Sequence, residues 1–186
     1  LLAYSSVAHA GFLLLALACP PTASEVGRTL SPVTVIAFYL GAYLSMTLLA
    51  FLVMTSVRSA IEGEDLEAYR GLAKRAPFLS FALLVAMASL AGIPLTVGFF
   101  GKFFVFQLAI QQEQWLLLIV GLIGAGAGFY YYLKIAASMF LSGAEGSEED
   151  TAPLSVAPLT RITMVLLIII ILVGGFQPNL ILGLLV

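Results

Sequence analysis

Residues 77–111 read PFLSFALLVAMASLAGIPLTVGFFGKFFVFQLAIQ. The stretch is apolar almost throughout, yet it carries a helix breaker at Gly92-Ile93-Pro94 and one ammonium at Lys102. As one straight helix it would run roughly 50 Å at about 1.5 Å per residue, against a hydrocarbon slab about 30 Å thick. Cut at Gly92–Gly98, each piece is too short to span alone, because a span takes about 20 residues. The economical solution is a single crossing made of two half-helices, broken at Gly92, Pro94 and Gly98. Irregular backbone at membrane depth survives only where protein or a wet cavity satisfies its freed polar groups. Transporters place their ion sites at such breaks, so the stretch reads as part of an ion path.

Composition sets the frame around it. The chain is 61% hydrophobic and 10% charged, with a mean hydropathy of +1.10, whereas soluble domains carry about 25% charged residues. The fold class is therefore all-α, a polytopic membrane protein; the short alternating strands of a barrel are absent. A net charge of −2 with no basic cluster gives no reason to expect nucleic acid. The single Cys19 excludes an internal disulfide and a multi-cysteine metal site. The chain opens on Leu-Leu-Ala-Tyr with neither an initiating Met nor a basic leader, and is expected to be the C-terminal part of something longer.

Five apolar segments are expected, at about 3–19, 32–57, 77–111 (broken at 92–98), 115–141 and 159–184, all within one membrane domain over 1–186. The connection at 58–76 holds Arg58, Arg70, Lys74 and Arg75, and the 142–158 side adds Arg161 with Lys134 close by. Only Arg28 stands on the other side. By the positive-inside rule both connections are cytoplasmic and the C-terminus is outside. Within the first, Ile61–Ala73 reads as a surface helix with an acidic start and a basic end. The second, GAEGSEEDTAP, is acidic and reads as a mobile loop.

Lys102 is the strongest chemical signal. Nine residues back from Gln111 at about 1.5 Å each put it roughly 14 Å deep, near the midplane. A snorkelling lysine or a permanent packing pair is the bland alternative, but ionisable groups at this depth are functional by default. Burial weakens an ammonium's hold on its proton and a neighbouring carboxylate strengthens it. A lysine whose partner comes and goes thus loads and releases a proton.

His9 lies two turns into the first segment, with Ser5 and Ser6 one turn before it on the same face. It suits a relay as well as an interhelical packing bond. Tyr39, Tyr43 and Thr47 form a hydroxyl stripe that either lines a wet path or, more commonly, glues helices. Tyr130–Tyr132 fall where an aromatic belt sits, and Lys134 beside them is kept as a residue reaching inward. Gly124 and Gly128 invite close approach by another helix. The aliphatic run Leu166–Val173 reads as lipid-facing. The candidate proton path is thus Lys102, His9, Tyr43, Thr47, Ser5, Ser6 and Lys134. No nucleophile–base pair, phosphate loop, haem ligand pair or metal cluster is visible, so neither a cofactor nor redox chemistry is expected in this chain.

Five motifs carry a resemblance: LAYSSVAHAGF at 2–12, FYLGAY at 38–43, DLEAYRGL at 65–72, LAGIPLTVGFFGKF at 90–103 and YYYLK at 130–134. Together they resemble subunit N (subunit 2) of proton-pumping NADH:quinone oxidoreductase, respiratory complex I, in the antiporter-like family. The resemblance covers nearly the whole chain. It implies the last five of fourteen helices, the second half of an inverted-repeat fold with 77–111 as its discontinuous twelfth helix. It further implies that Lys102 is the terminal lysine of a central polar axis, and that His9 matches a histidine on that axis. Relatives commonly carry Asn where this chain has Thr47, which leaves a hydroxyl in place of an amide. The implied partners are the other membrane subunits of complex I, the lipid bilayer and the missing N-terminal half. The implied location is the bacterial inner membrane, with proton movement coupled to quinone reduction elsewhere in the complex. The alternatives from other classes are an Mrp-type cation/proton antiporter, a membrane-bound hydrogenase subunit of the same fold, and a non-pumping scaffold.

Overall fold

The computed structural model describes residues 2–19, 30–58, 69–141 and 156–185. Eight helices make up the described residues: α1 (Leu2–Leu17), α2 (Pro32–Arg58), α3 (Leu72–Arg75), α4 (Pro77–Ala91), α5 (Val97–Gln111), α6 (Trp115–Ser138), α7 (Pro158–Phe176) and α8 (Pro178–Leu185). Pro32, Pro77, Pro158 and Pro178 each open a helix, where a missing N–H costs nothing and a fixed φ helps. Helices α2, α6 and α7 are long and apolar enough to cross a membrane. This is an integral membrane protein.

The stretch 77–111 forms two half-helices of 15 residues each. Gly92 ends α4 in the left-handed region (φ 85°). The Gly92 N–H donates to the Ala88 and Ser89 carbonyls, and the Ile93 N–H to Ala88, a glycine-terminated cap of the Schellman type. Leu95 also has a positive φ of 74°, a conformation that costs a branched residue about 1–3 kcal/mol and survives only where surroundings impose it. Gly98 is not in the break: it sits in the first turn of α5.

The two halves succeed one another along α6, which runs antiparallel to them. Ser80 of α4 meets Met139 at the end of α6, whereas Phe106 of α5 lies against Gly121 near its start. Those two α6 positions are 18 residues apart, or about 27 Å of helix. That is the geometry of one interrupted crossing.

Helix α2 is the central post. Phe38, Tyr39, Ala42, Met46, Leu49 and Val53 are buried along it, and it contacts α1, α4, α5, α7 and α8. Helix α6 is peripheral: only Tyr132, Ala136 and Ser138 are buried in it. No described helix approaches Gly124 or Gly126, where an added Cβ would meet nothing within 4 Å.

Two expectations need correction here. The segment 159–184 is not one helix: it breaks at Gln177 (φ −133°, ψ 72°). Gln177 precedes Pro178, whose ring disfavours helical backbone at that position. Nor is this segment inert against lipid throughout, since Met164, Leu167, Ile168, Ile171, Gly174 and Gly175 are buried. The reason is the glycine pair. A Cβ at Gly175 would overlap the Leu95 carbonyl and the Thr96 Cα, and one at Gly174 would press on Val97 Cγ2 at 2.8 Å. Helix α7 therefore packs its glycines directly on the break of α4–α5. Most of the expected surface helix Ile61–Ala73, and the loop 142–155, lie outside the described residues.

Candidate functional site: a buried lysine at a helix break

The site starts from the break. A helix that ends inside a membrane leaves its last carbonyls without intrahelical partners. Here Lys102 supplies them from the other half-helix: its Nζ donates to the Leu90 carbonyl at 2.8 Å and to the Ala91 carbonyl at 3.1 Å. These oxygens are also the negative end of the α4 dipole, which favours a cation. Gly92 makes room, since a Cβ there would stand 3.2 Å from Lys102 Cδ and 3.4 Å from Nζ. Lys102 is 7% exposed, so it does not snorkel. An ammonium at this depth thus has a partner within its own chain, in the form of carbonyl oxygens and not a carboxylate. A carboxylate partner would show in the sequence as a residue, whereas the carbonyls that the break itself exposes do not.

The start of α5 is satisfied by the same device in reverse. Ser89 Oγ accepts the Gly98 N–H at 3.1 Å, while the Thr96 hydroxyl donates to the Ile93 carbonyl at 2.7 Å. Both half-helix ends are thereby capped by side chains across the break.

On the other side of Lys102 lies Phe12 of α1, its ring centroid 5.6 Å from Nζ. The same ring stands 6.3 Å from the His9 ring. Phe12 therefore faces the ammonium with a π-surface and stands beside both ionisable groups. His9 is 2% exposed; its Nδ1 is 2.8 Å from the Tyr39 hydroxyl, and its ring stacks on Tyr43 at 4.6 Å. Ser5, one turn before His9 on α1, shares a hydrogen bond with the Tyr132 hydroxyl of α6.

Of the residues expected on a path, Lys102, His9, Tyr43 and Ser5 are brought into this region. Ser6 is turned away: it is exposed, and its hydroxyl donates to the Ala3 carbonyl of its own helix at 2.6 Å. Lys134 is exposed and does not reach inward, because it falls on the open side of the peripheral α6. Thr47 Oγ1 is buried and has no hydrogen-bond partner among the described residues. Tyr39 and Tyr132 join the site from outside that group. Tyr132 was read as aromatic belt with its neighbours; Tyr130 and Tyr131 are exposed, but Tyr132 is 4% exposed. Helical phase separates the three, and only contact with α1 selects which one turns inward. Among the described residues no group of three or more His, Cys, Asp or Glu side chains comes together.

An all-helical membrane bundle with a discontinuous helix, whose break is bridged by a buried lysine, defines a polytopic membrane protein of the broken-helix type. Residues 1–128 match the family described as NADH:quinone oxidoreductase/Mrp antiporter, transmembrane. The chain belongs to that family. It is 41% identical over 172 residues to NADH-quinone oxidoreductase subunit N of Methylococcus capsulatus, a match over 90% of this chain and 33% of that protein. Its fold is similar to a chain in the structure of respiratory complex I from Thermus thermophilus with bound aureothin. There the TM-score is 0.74 at 34% identity, over 98% of this chain and 39% of the other. The chain thus spans about a third of the length of the curated relative it matches.

Proposed function

We propose that this chain forms part of a proton-translocating membrane subunit of NADH:quinone oxidoreductase, corresponding to subunit N. The observation that carries the proposal is Lys102, buried at a helix break and held by two carbonyl oxygens in place of a carboxylate. Carbonyls stabilise an ammonium without fixing it as a full counter-charge does. A charge arriving nearby, or a shift of either half-helix, changes the balance between the charged and neutral lysine. Phe12 stands beside Lys102, His9 and Tyr39, and in this reading a proton passes between the lysine and the histidine around its ring. In this reading the chain holds no cofactor, and the quinone and electron carriers belong to other subunits. Its partners are those subunits, the lipid bilayer and the polypeptide its relatives carry beyond the matched part.

The test is purification with activity. Full-length protein tagged at this subunit should copurify with flavin and iron–sulfur subunits and support NADH-driven proton uptake into sealed vesicles. Recovery without them, together with sodium/proton exchange, would point to an antiporter instead.

Orientation belongs to the same proposal. Arg58, Arg70, Lys74, Arg75, Lys134 and Arg161 all lie at or near one end of the bundle, and Glu113 lies between α5 and α6 at the other. The cationic end is placed in the cytoplasm. A cysteine at Lys74 should label only from the cytoplasmic side, and one at Glu113 only from the opposite side. Labelling of both from one side would rule out a single crossing by α4–α5.

His9 is a relay whose loss short-circuits locally, because waters can bridge the gap it leaves. His9→Ala should leave the complex assembled and lower proton translocation about two- to fivefold, less than a lost acid–base group at the reacting centre. Failure to assemble would make His9 a packing residue.

A further inference from the structure

We infer that the Ser5–Tyr132 hydroxyl pair is a proton-conducting link between the His9 cluster and a cavity that opens at the cationic end of the bundle. The inference rests on the reading that Lys102 and His9 move protons, and it adds the place where protons reach them.

Four observations meet here. Tyr132 alone of three consecutive tyrosines is buried, and its hydroxyl bonds to Ser5. Ser5 sits one turn from His9 on the same face of α1, and His9 in turn bonds to Tyr39. A cavity of about 520 Å³ lies between α1 and α6, and Ser5 and Tyr132 are in its wall. Four of its eight lining residues carry hydroxyls: Tyr4, Ser5, Tyr131 and Tyr132. Glycine at 124 and 128 keeps the opposite wall low. Tyr132 is six residues from the end of α6, about 9 Å of helix, so the pair lies toward the Lys134 end of the bundle.

The pair therefore joins the cavity wall to the turn of α1 that carries His9. Each hydroxyl can accept and donate at once. A proton taken from cavity water by the Tyr132 oxygen displaces that oxygen's own proton to Ser5. Ser5 passes its proton inward, through one water, to His9. One proton enters, one leaves, and rotation of both hydroxyls restores the starting state. Simple interhelical glue would need the same bond but no cavity behind it and no histidine ahead of it.

The experiment uses the full-length subunit in its complex. Tyr132→Phe keeps the ring and removes the hydroxyl; Ser5→Ala and Ser5→Thr remove and retain the second hydroxyl. Tyr130→Phe, exposed and outside the cavity wall, is the control. The expected result is that Tyr132→Phe and Ser5→Ala lower proton uptake per electron at least threefold with assembly unchanged, while Ser5→Thr and the control stay within a third of the parent. Full uptake in Tyr132→Phe, with Lys102 variants still defective, would overturn the link and leave the lysine reading standing. Full uptake in both would remove the lysine reading as well. Independently of any assembly defect, a cysteine at Ala127 in the cavity wall should react with a membrane-impermeant thiol reagent added from the cationic side. No reaction from that side would overturn the water access on which the link depends.

Discussion

Lys102→Met in the full-length protein should lower proton translocation at least about tenfold, within the range lost when a positioned acid–base group is removed. Methionine keeps much of the side-chain volume in the space left by Gly92, so no large cavity adds to the loss. It also strips the Leu90 and Ala91 carbonyls of their donor, and each buried acceptor so orphaned costs about 1–3 kcal/mol. A fall in thermal midpoint is therefore expected alongside the functional loss, and one variant alone cannot separate the two. Lys102→Arg does. Its guanidinium restores donors to both carbonyls but stays protonated at any accessible pH, so the complex should regain stability and still fail to translocate. The measurement is proton uptake into sealed vesicles beside the electron-transfer rate and the melting curve of each variant. Parent-level uptake by the arginine variant would mean that Lys102 only caps a broken helix. The functional reading would then have to be withdrawn.

Gly98→Ala is the second large effect. Its new Cβ would overlap the Ser89 carbonyl and crowd Ser89 Oγ at 2.9 Å, where the contact is mainly with backbone and cannot be relieved by a rotamer. The end of α4 and the start of α5 would have to separate. That would break the bond from the Gly98 N–H to Ser89 and move Lys102, one turn further along α5, away from its carbonyls. Overpacking of this kind costs about 1–3 kcal/mol, so a lowered melting temperature, less assembled complex and reduced translocation should appear together. Gly126→Ala is the control. It meets nothing within 4 Å, and an exposed helical glycine replaced by alanine gains up to about 1 kcal/mol of helix propensity. Equal damage from both substitutions would show that the break is not held by this contact.

The family, the helical membrane class and the helix break within 77–111 were all legible in the sequence. They depend on quantities a linear chain carries: hydrophobic run length against membrane thickness, glycine and proline as breakers, and the AGIPLTVGFFGKF signature. Lys102 was visible for the same reason, as one charge in a long apolar run. What it bonds to was not visible. Backbone carbonyls have no letter in a sequence, and only the packing of the start of α5 against the end of α4 brings the Leu90 and Ala91 oxygens to its Nζ. Ser6 read as a path residue because its spacing puts it on the His9 face, and Lys134 because it stands beside the tyrosines, yet the packing of α1 and the peripheral position of α6 leave both exposed. Tyr132 was indistinguishable from Tyr130 and Tyr131 until α1 placed Ser5 against one face of α6. The break at Gln177 was readable from Pro178, but the aliphatic run before it masked the signal. That Gly174 and Gly175 hold the break of another helix required tertiary structure, because a glycine records the absence of a side chain and not the identity of what fills the space.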